Sequence, residues 1–295
     1  SLVGSEMCIR DRNMSESEKG RSEATQGAAA SLLNGLRVLE AFRVDSPTLG
    51  VTDVAQRVGL HKSTVSRILT GLAEAGYVHR DSATGRYRLG LGVISLAGPL
   101  LAELDVRRLA QGELEELTAQ TRETSALSVW NGTEAVVVEQ IPSPQFVKHT
   151  AYIGTRYDRW ESSSVRLFLA HLPARTVIDL LNSGRINHDE TSPGAEDVEA
   201  HLRRIRIEGY ALNDGLTDPQ ELGISVPVHN YAGSVVGCVT LSAPRARIEP
   251  EDIPDLISAV KEVAERITHS FGGSPRTGAT GIHAQAERGE QQGAL

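Results

Sequence analysis

A short polar run near residue 60 carries side chains suited to contact with nucleic acid. The run reads His-Lys-Ser-Thr-Val-Ser-Arg over residues 61–67. If it is helical, its valine faces inward while the hydroxyl and basic side chains share the outer face. Such side chains reach base edges and phosphates in the major groove of DNA. The pattern predicts a recognition helix whose contacts come from His61, Lys62, Ser63, Thr64, Ser66 and Arg67.

Two arginines further along the chain are a second set of candidate phosphate contacts. Arg86 and Arg88 alternate with Tyr87 and Leu89. Alternate residues of an extended strand share one face, so we expect both arginines to project together. Cations in that position contact phosphates beside the groove.

Three helices are needed to position the polar run. Apolar residues recur at helical spacing over 32–42, which predicts a first helix. A second, short helix is expected over Asp53–Val58, with Thr52 as its N-cap and Gly59 as its end. The third, over about 62–75, carries the polar run.

A hairpin completes this region. Residues 77–80 and 86–89 read as short strands, and 81–85 reads as the turn between them. Helix, glycine turn, helix and hairpin over 31–90 predict a winged helix-turn-helix domain. A module of this shape can also serve protein contact or simple packing; we favour DNA.

The charge distribution supports that preference although the net charge of −8 at first argues against it. Residues 31–90 carry eight Lys/Arg against five Asp/Glu, whereas residues 91–295 carry 18 against 28. A basic small unit attached to an acidic larger one points weakly to nucleic-acid contact by the basic part. A chance fluctuation in surface charge explains this asymmetry equally well.

Composition excludes several other classes of protein. With 295 residues and 40% hydrophobic residues, the chain is neither wholly disordered nor collagen-like. No apolar run approaches the roughly 18 residues of a membrane span. Only Cys8 and Cys238 are present, so a disulfide scaffold or a thiolate zinc cluster is not expected. The cytoplasm is the simplest compartment.

An enzyme is the second class considered, and the sequence gives it little support. No GxSxG, P-loop, HExxH or CxxC motif occurs, and the nine histidines lack ligand spacing. Cys238 lies in an apolar strand and reads as an inert core residue. We therefore expect no catalytic residues, no metal and no cofactor. A third class, an interaction module that has lost DNA binding, rests only on the acidic total charge.

Residues 91–122 read as helical and connect two domains. Residues 91–108 are expected to form a linker helix, with Pro99 as a kink or break. Its apolar residues surround much of the circumference, so it either pairs with a second copy or packs on its own domain. Both alternatives stay open on the sequence.

The remaining chain divides into one α+β domain and two tails. Over 109–271, hairpins near 125–139 and 224–241 enclose helices near 163–170, 174–182 and 197–208, and a last helix covers 250–270. This order predicts an antiparallel sheet with flanking helices. Residues 1–30, of which about the first 13 resemble non-native sequence, and residues 272–295 are expected to be disordered.

The sequence resembles the IclR family of bacterial transcription regulators from residue 31 to about 270. The most specific motifs are LLNGLRVLEAF at 32–42, VTDVAQRVGLHKSTVSRILTGLAEAGYVHRD at 51–81 and GRYRLG at 85–90. GTRYDRWESSSVRLFLA at 154–170 and GISVPVHNYAGSVVGCVTLSAPRAR at 223–247 agree in pattern and less closely in detail.

The resemblance implies a fold, a mode of action and site residues. It implies a winged helix, a linker helix that pairs subunits, and a GAF-like antiparallel sheet. It also implies a dimer or tetramer that binds near-palindromic operator DNA and responds to a small metabolite, often a carboxylate. The family's effector pocket falls, in this chain, on Trp160, Ser163, Ser164, Asn213, Gly223, Thr240 and Ser242. Each of these residues reads equally well as a helix cap or an ordinary strand residue.

Several of these positions depart from the family pattern. Trp160 stands where a histidine is usual, and Val165 and Arg166 replace a Gly-Lys pair. Gly223 stands at a common cysteine and Asn213 at a frequent acidic residue. We expect a reshaped, less acidic pocket in which Trp160 narrows the space or stacks on a ring. Arg166 either pairs with an anionic ligand or, more commonly for arginine, is exposed.

Overall fold

The structure is a computed structural model that describes residues 29–103, 105–188, 195–270 and 272. It divides after Glu103 into an N-terminal and a C-terminal unit. Apart from residues 29, 30 and 272, the segments expected to be disordered lie outside the described residues. Residues 29 and 30 are helical, so the first helix includes two residues assigned to the disordered segment.

The N-terminal unit contains four helices and a two-stranded antiparallel hairpin. They are α1 (29–40), α2 (Val51–Val58), α3 (Lys62–Glu74), β1 (Val78–Arg80), β2 (Tyr87–Leu89) and α4 (Gly92–Glu103). Helices α1 to α3 enclose one core whose fully buried members include Val38, Val54, Val65 and Leu69. The hairpin closes this core with Tyr87, as expected for a winged helix-turn-helix.

Helix α2 begins earlier than its sequence indicates. Its N-cap is Gly50, whose backbone N–H donates to Asp53 Oδ2 at 2.9 Å. Thr52 was predicted as the N-cap, and this prediction is wrong because it lies within the first turn. The carboxylate of Asp53, and not the hydroxyl of Thr52, therefore accepts the hydrogen bond from a backbone N–H at the start of α2.

The chain from the wing into α4 passes very close to the end of α3. Gly92 N donates to Gly76 O at 3.1 Å, and Gly90 N donates to Tyr77 O at 2.8 Å. A Cβ atom on Gly90 would lie 2.4 Å from Gly76 O, so only glycine fits there. Helix α4 then continues through Pro99, which does not end it.

The C-terminal unit is built on a six-stranded antiparallel sheet. Its helices are α5 (Asp105–Thr121), α6 (Ser163–Ala170), α7 (Ala174–Asn182), α8 (Ala195–Glu208) and α9 (Ile253–Ser270). Its strands are β3 (Thr124–Trp130), β4 (Ala135–Ile141), β5 (Arg156–Tyr157), β6 (Ala211–Asp214), β7 (Glu221–His229) and β8 (Val235–Pro244), in the order β5-β4-β3-β8-β7-β6. The predicted α+β fold with an antiparallel sheet and flanking helices is confirmed.

Both faces of this sheet are covered. Helices α5 and α9 pack together on one face, where Leu114, Leu127 and Val260 are fully buried. On the other face, α6 packs against the sheet, and α8 packs against α6. Since Val106 of α5 is buried in the first of these cores, the predicted domain boundary at 108/109 falls inside α5. None of the described helices is both long and apolar enough to cross a membrane.

Candidate functional site

The predicted recognition helix is α3, and its orientation is fixed by its apolar residues. Val65 and Leu69 are fully buried beneath it. His61 is its N-cap, and the Nδ1 atom of His61 accepts from Ser63 N at 3.3 Å. The polar side chains predicted for this helix therefore lie on its outer side: His61, Lys62, Ser63, Ser66 and Arg67 are exposed, and Thr64 is half-buried.

The two wing arginines lie in different surroundings. Arg88 is exposed in β2, opposite His79 of β1. Arg86 precedes β2 and turns back to α2, where its Nη2 donates to Asp53 Oδ2 at 2.9 Å and to Thr48 O at 3.1 Å. Arg86 and Arg88 are exposed on either side of the buried Tyr87, although only Arg88 lies within β2, which begins at Tyr87.

The tip of the wing is organised by one carboxylate. Asp81 Oδ1 accepts from Ala83 N at 2.8 Å and from Thr84 N at 3.2 Å. These backbone donors lower the pKa of Asp81, because they favour its charged form. The Gly50 N–H, and then Arg86, lower the pKa of Asp53 in the same way.

A cavity of about 200 Å³ lies in the C-terminal unit between the start of α6 and the sheet. Ser162, Ser163 and Ser164 line it at the helix end, and Ala126, Val137 and Ala151 form an apolar wall. Ser162 is the N-cap residue of α6, but its side chain makes no capping hydrogen bond. The first N–H groups of an α-helix have no partner within the helix, and Ser163 and Ser164, which carry two of them, line the cavity. The start of α6 therefore suits a small anion.

The structure places six of the seven predicted effector residues in the lining of this cavity. Those six are Ser163, Ser164, Asn213, Gly223, Thr240 and Ser242. Trp160 is the exception. It is 4% exposed, lies in the core with α6, and its ring centroid is 5.9 Å from that of His201. The expectation that Trp160 narrows the pocket or stacks on a ligand is therefore wrong.

Arg166 also lies outside the cavity, and both expectations for it are wrong. It is 2% exposed and donates to Leu212 O at 2.6 Å and to Glu161 O at 3.2 Å. Burial lowers the pKa of Arg166 to about 10, against the opposing effect of Glu161. Its guanidinium satisfies backbone carbonyls and so ties α6 to strand β6.

The hydroxyl groups of the cavity form a connected chain. Ser163 Oγ lies 2.9 Å from Ser225 Oγ, which in turn lies 2.9 Å from Thr240 Oγ1. Ser162 Oγ and Ser164 Oγ form a separate pair at 3.0 Å. Sequence reasoning missed Ser225, although it alternates with Gly223 on one face of β7.

Gly223 keeps the cavity open next to these hydroxyl groups. A Cβ atom at this position would lie 3.1 Å from Ser163 Oγ. Its backbone φ is ordinary, so the glycine is required for space rather than for conformation. A larger residue at this position therefore crowds the start of α6.

Two carboxylates that sequence reasoning missed also line the cavity. Asp158 accepts from Asn187 Nδ2 at 2.7 Å, and Glu221 accepts from Thr217 Oγ1 at 2.7 Å. Asn213 is occupied within its own turn, where its Oδ1 accepts from Leu216 N at 2.9 Å. The expectation of a less acidic pocket stays a prediction: the lining holds the carboxylates of Asp158 and Glu221 together with two arginines, Arg156 and Arg159.

Nothing among the described residues indicates catalysis or a metal. Cys238 is fully buried, and burial raises the pKa of its thiol to about 12. A thiol in that state is not a nucleophile near neutral pH. Within the described part of the chain, no three His, Cys, Asp or Glu side chains come together in a way that would hold a metal ion.

Comparisons with known proteins agree with this architecture in both units. The family model for the IclR helix-turn-helix domain matches residues 31–82, and the model for the C-terminal domain of bacterial IclR transcriptional regulators matches 99–269. The HTH-type transcriptional regulator XynR of Escherichia coli (strain K12) is 25% identical over 244 residues, which are 82% of this chain and 97% of XynR.

Two solved structures are similar as well. A 40% identical domain of an IclR-family regulator has a TM-score of 0.55, covering 58% of this chain and 99% of that domain. An IclR homologue from Microbacterium hydrocarbonoxydans, complexed with 4-hydroxybenzoate, is 24% identical with a TM-score of 0.69, covering 82% of this chain and 99% of that one. The curated relatives in this comparison are named HTH-type transcriptional regulators or repressors. This chain belongs to the IclR family of bacterial transcriptional regulators.

Proposed function

We propose that this regulator senses a small carboxylate in the cavity of its C-terminal unit and changes its affinity for operator DNA in response. The observation that carries the proposal is the cavity at the start of α6, which is lined by the hydroxyl-bearing residues Ser162, Ser163 and Ser164. The positive end of the helix dipole and these donors together favour a carboxylate. The IclR homologue complexed with 4-hydroxybenzoate, a small carboxylate, supports the same class of effector.

The size of the cavity restricts the effector further. At about 200 Å³ it is smaller than the roughly 300–1,000 Å³ of most ligand sites. A metabolite with a short apolar body against Ala126, Val137 and Ala151 matches its wall. An effector that binds the operator-competent and operator-incompetent states unequally shifts the population between them.

Operator contact is assigned to the outer side of α3 and to the wing. Lys62, Ser63, Ser66 and Arg67 are exposed. We assign them to the major groove, together with His61 and Thr64 at the start of the same helix. Arg88 is the wing residue placed for a phosphate contact. Arg86, held by Asp53, sets the position of the wing.

A homodimer completes the proposal, formed through residues 91–110. Leu91, Ile94 and Leu96 on this segment are 79%, 62% and 65% exposed in the single chain. Leu32 and Leu33 on α1 are exposed as well, and a groove lined by α1, α3 and Leu96 lies next to them. Exposed apolar surface of this kind favours pairing with a second copy over packing on the same unit.

The proposal is tested by selecting DNA fragments from a random library with the full-length protein, with and without pooled small carboxylic acids. We expect a near-palindromic site, because a two-fold dimer binds two half-sites, and a change in its recovery with one pool. Sedimentation of the same protein at micromolar concentration should give a dimer or tetramer. A monomer overturns the dimer, and no enriched DNA at low salt overturns operator binding.

A charge-matched pair of variants tests the DNA face directly. Arg67→Ala removes a cation from α3, and Arg175→Ala removes an exposed cation from α7. We expect Arg67→Ala, and not Arg175→Ala, to weaken operator binding. We also expect Arg67→Ala to lower the number of ions released on DNA binding by about one. Equal behaviour of the two variants contradicts the assignment of α3 as the recognition helix.

A further inference from the structure

We propose that Glu221 makes the cavity selective for hydroxy acids, with the effector's hydroxyl donating to Glu221 and its carboxylate at the start of α6. This inference rests on the proposed effector function and adds the chemistry of the ligand's second end. It is carried by one of the two carboxylates that line the cavity, Glu221, which lies two residues along β7 from Gly223, beside the start of α6.

Glu221 is held in a fixed orientation by its neighbours. Asn213 Nδ2 donates to Thr217 Oγ1 at 2.5 Å, so the hydroxyl hydrogen of Thr217 is directed to Glu221 Oε2, 2.7 Å away. The other oxygen, Oε1, lies 3.6 Å from His149 Nε2, which is within ion-pair range but too far for a hydrogen bond. Glu221 therefore presents a positioned acceptor at the wall of the cavity.

The same strand relates this acceptor to the anion end. Glu221 and Gly223 lie two residues apart on one face of β7, and both line the cavity. Two residues along a strand span about 7 Å. Gly223 adjoins Ser163 at the start of α6. A ligand whose carboxylate lies beside Ser163 thus reaches Glu221 with a group about 7 Å away.

The lining around Glu221 carries charges of both signs. Arg156 and Arg159 line the same cavity, but Arg156 pairs with Glu134 at 2.6 Å and Arg159 pairs with Glu161 at 3.3 Å. Tyr157, also in the lining, has its pKa raised to about 12 by burial and by the charge of Glu221, so it stays neutral. A neutral donor on the ligand satisfies Glu221 without adding charge.

The test compares three matched pairs of acids by calorimetry with the full-length protein. The pairs are 4-hydroxybenzoate and benzoate, 4-hydroxyphenylacetate and phenylacetate, and 5-hydroxypentanoate and pentanoate. In at least one pair we expect the hydroxy acid to bind at least about tenfold more tightly, since hydrogen bonds to charged groups are the strong ones. Glu221→Leu should abolish or reverse that preference while the deoxy acid still binds.

Two further variants separate this contact from changes in charge or folding. Glu221→Gln keeps the size and an acceptor oxygen, so it should retain part of the preference. Asp158→Asn removes a charge from another wall of the cavity and should retain all of it. Equal binding within every pair, or an unchanged preference in Glu221→Leu, overturns the role of Glu221. Failure of all six acids to bind overturns the proposed effector function itself.

Discussion

Arg86 Nη2 lies 2.9 Å from Asp53 Oδ2, so a single ion pair joins the base of the wing to helix α2. The same carboxylate oxygen accepts from Gly50 N and thereby fixes the start of α2. Asp53 therefore sets two positions at once, that of the helix before the recognition helix and that of the wing.

The first prediction separates this positioning role from direct phosphate contact. Arg86→Gln and Asp53→Asn should each lower operator affinity roughly two- to fivefold, the effect of losing one exposed ion pair. Because both remove the same contact, the double variant should be no weaker than either single variant. Binding is measured by fluorescence anisotropy over a range of salt concentrations.

Salt dependence provides the control for that prediction. Arg88→Ala, which removes a proposed phosphate contact, should reduce the number of ions released by about one. Arg86→Gln should leave that number unchanged. A reduced salt slope in Arg86→Gln contradicts the positioning role and supports a direct contact by Arg86.

The second prediction concerns the close approach of the wing exit to α3. A Cβ atom at Gly90 would lie 2.4 Å from Gly76 O, and backbone must shift to admit it. Gly90→Ala should therefore destabilise the N-terminal unit by about 1–3 kcal/mol. Hydrogen exchange over residues 78–89, followed by mass spectrometry, measures this effect.

Gly98→Ala is the matched control. Gly98 lies inside α4, and a Cβ atom there has no neighbour within 4 Å. Alanine should be neutral or stabilising by about 0.5–1 kcal/mol, since glycine is a poor helix former. Equal destabilisation by both variants would show that the contact with Gly76 is not the cause.

Helix α6 shows which features of the structure the sequence predicts and which it does not. The predicted limits of this helix, Ser163 to Ala170, are those of the structure. Ser163 and Ser164 line the cavity as expected, but Arg166 of the same helix is buried away from it. Local pattern gives the element, whereas the direction of each side chain depends on strands and helices distant in the sequence.

The parts that sequence reasoning missed have a common physical cause. Strand β5 has two residues and β6 has four, too short for an alternating pattern to be recognised. Glu221 belongs to β7 because this strand begins three residues before the predicted start at Ile224, where residues 222–225 pair with β6. These features follow from tertiary pairing and not from local sequence.

The third prediction uses the space at Gly223. The added methyl group of Gly223→Ala would lie 3.1 Å from Ser163 Oγ and narrow the cavity beside α6. We expect several-fold weaker binding of carboxylate effectors, with operator affinity in their absence unchanged. Gly112→Ala, where a Cβ atom meets nothing within 4 Å, should leave both unchanged. Unaltered effector binding in Gly223→Ala would place the ligand away from Ser163.

The fourth prediction is a loss of stability of the C-terminal unit in mild acid. His229 is buried with His171, whose ring centroid is 6.1 Å away, and burial lowers the pKa of His229 from 6.5 to about 4. Burial also lowers the pKa of His171. Between pH 6.5 and about pH 4, His229 binds a proton in the unfolded chain but not in the folded unit. The free energy of unfolding therefore falls as the pH decreases.

The size of this effect follows from the shift. For His229 it amounts to at most about 3 kcal/mol, reached near pH 4 and absent above about pH 6.5. Both tryptophans, Trp130 and Trp160, lie in the C-terminal unit, so tryptophan fluorescence in urea reports its unfolding. His229→Gln should show a shallower decrease. An identical pH profile in wild type and variant would rule out His229 as its source.

The hydroxyl chain of Ser163, Ser225 and Thr240 bears on how the proposed effector would be bound. Each hydroxyl has one hydrogen to donate, and two hydrogen bonds among three hydroxyls use only two of the three. When Thr240 donates to Ser225 and Ser225 donates to Ser163, the unused hydrogen is that of Ser163. A residue in the middle of strand β8 thereby orients the donor that the start of α6 offers to a carboxylate.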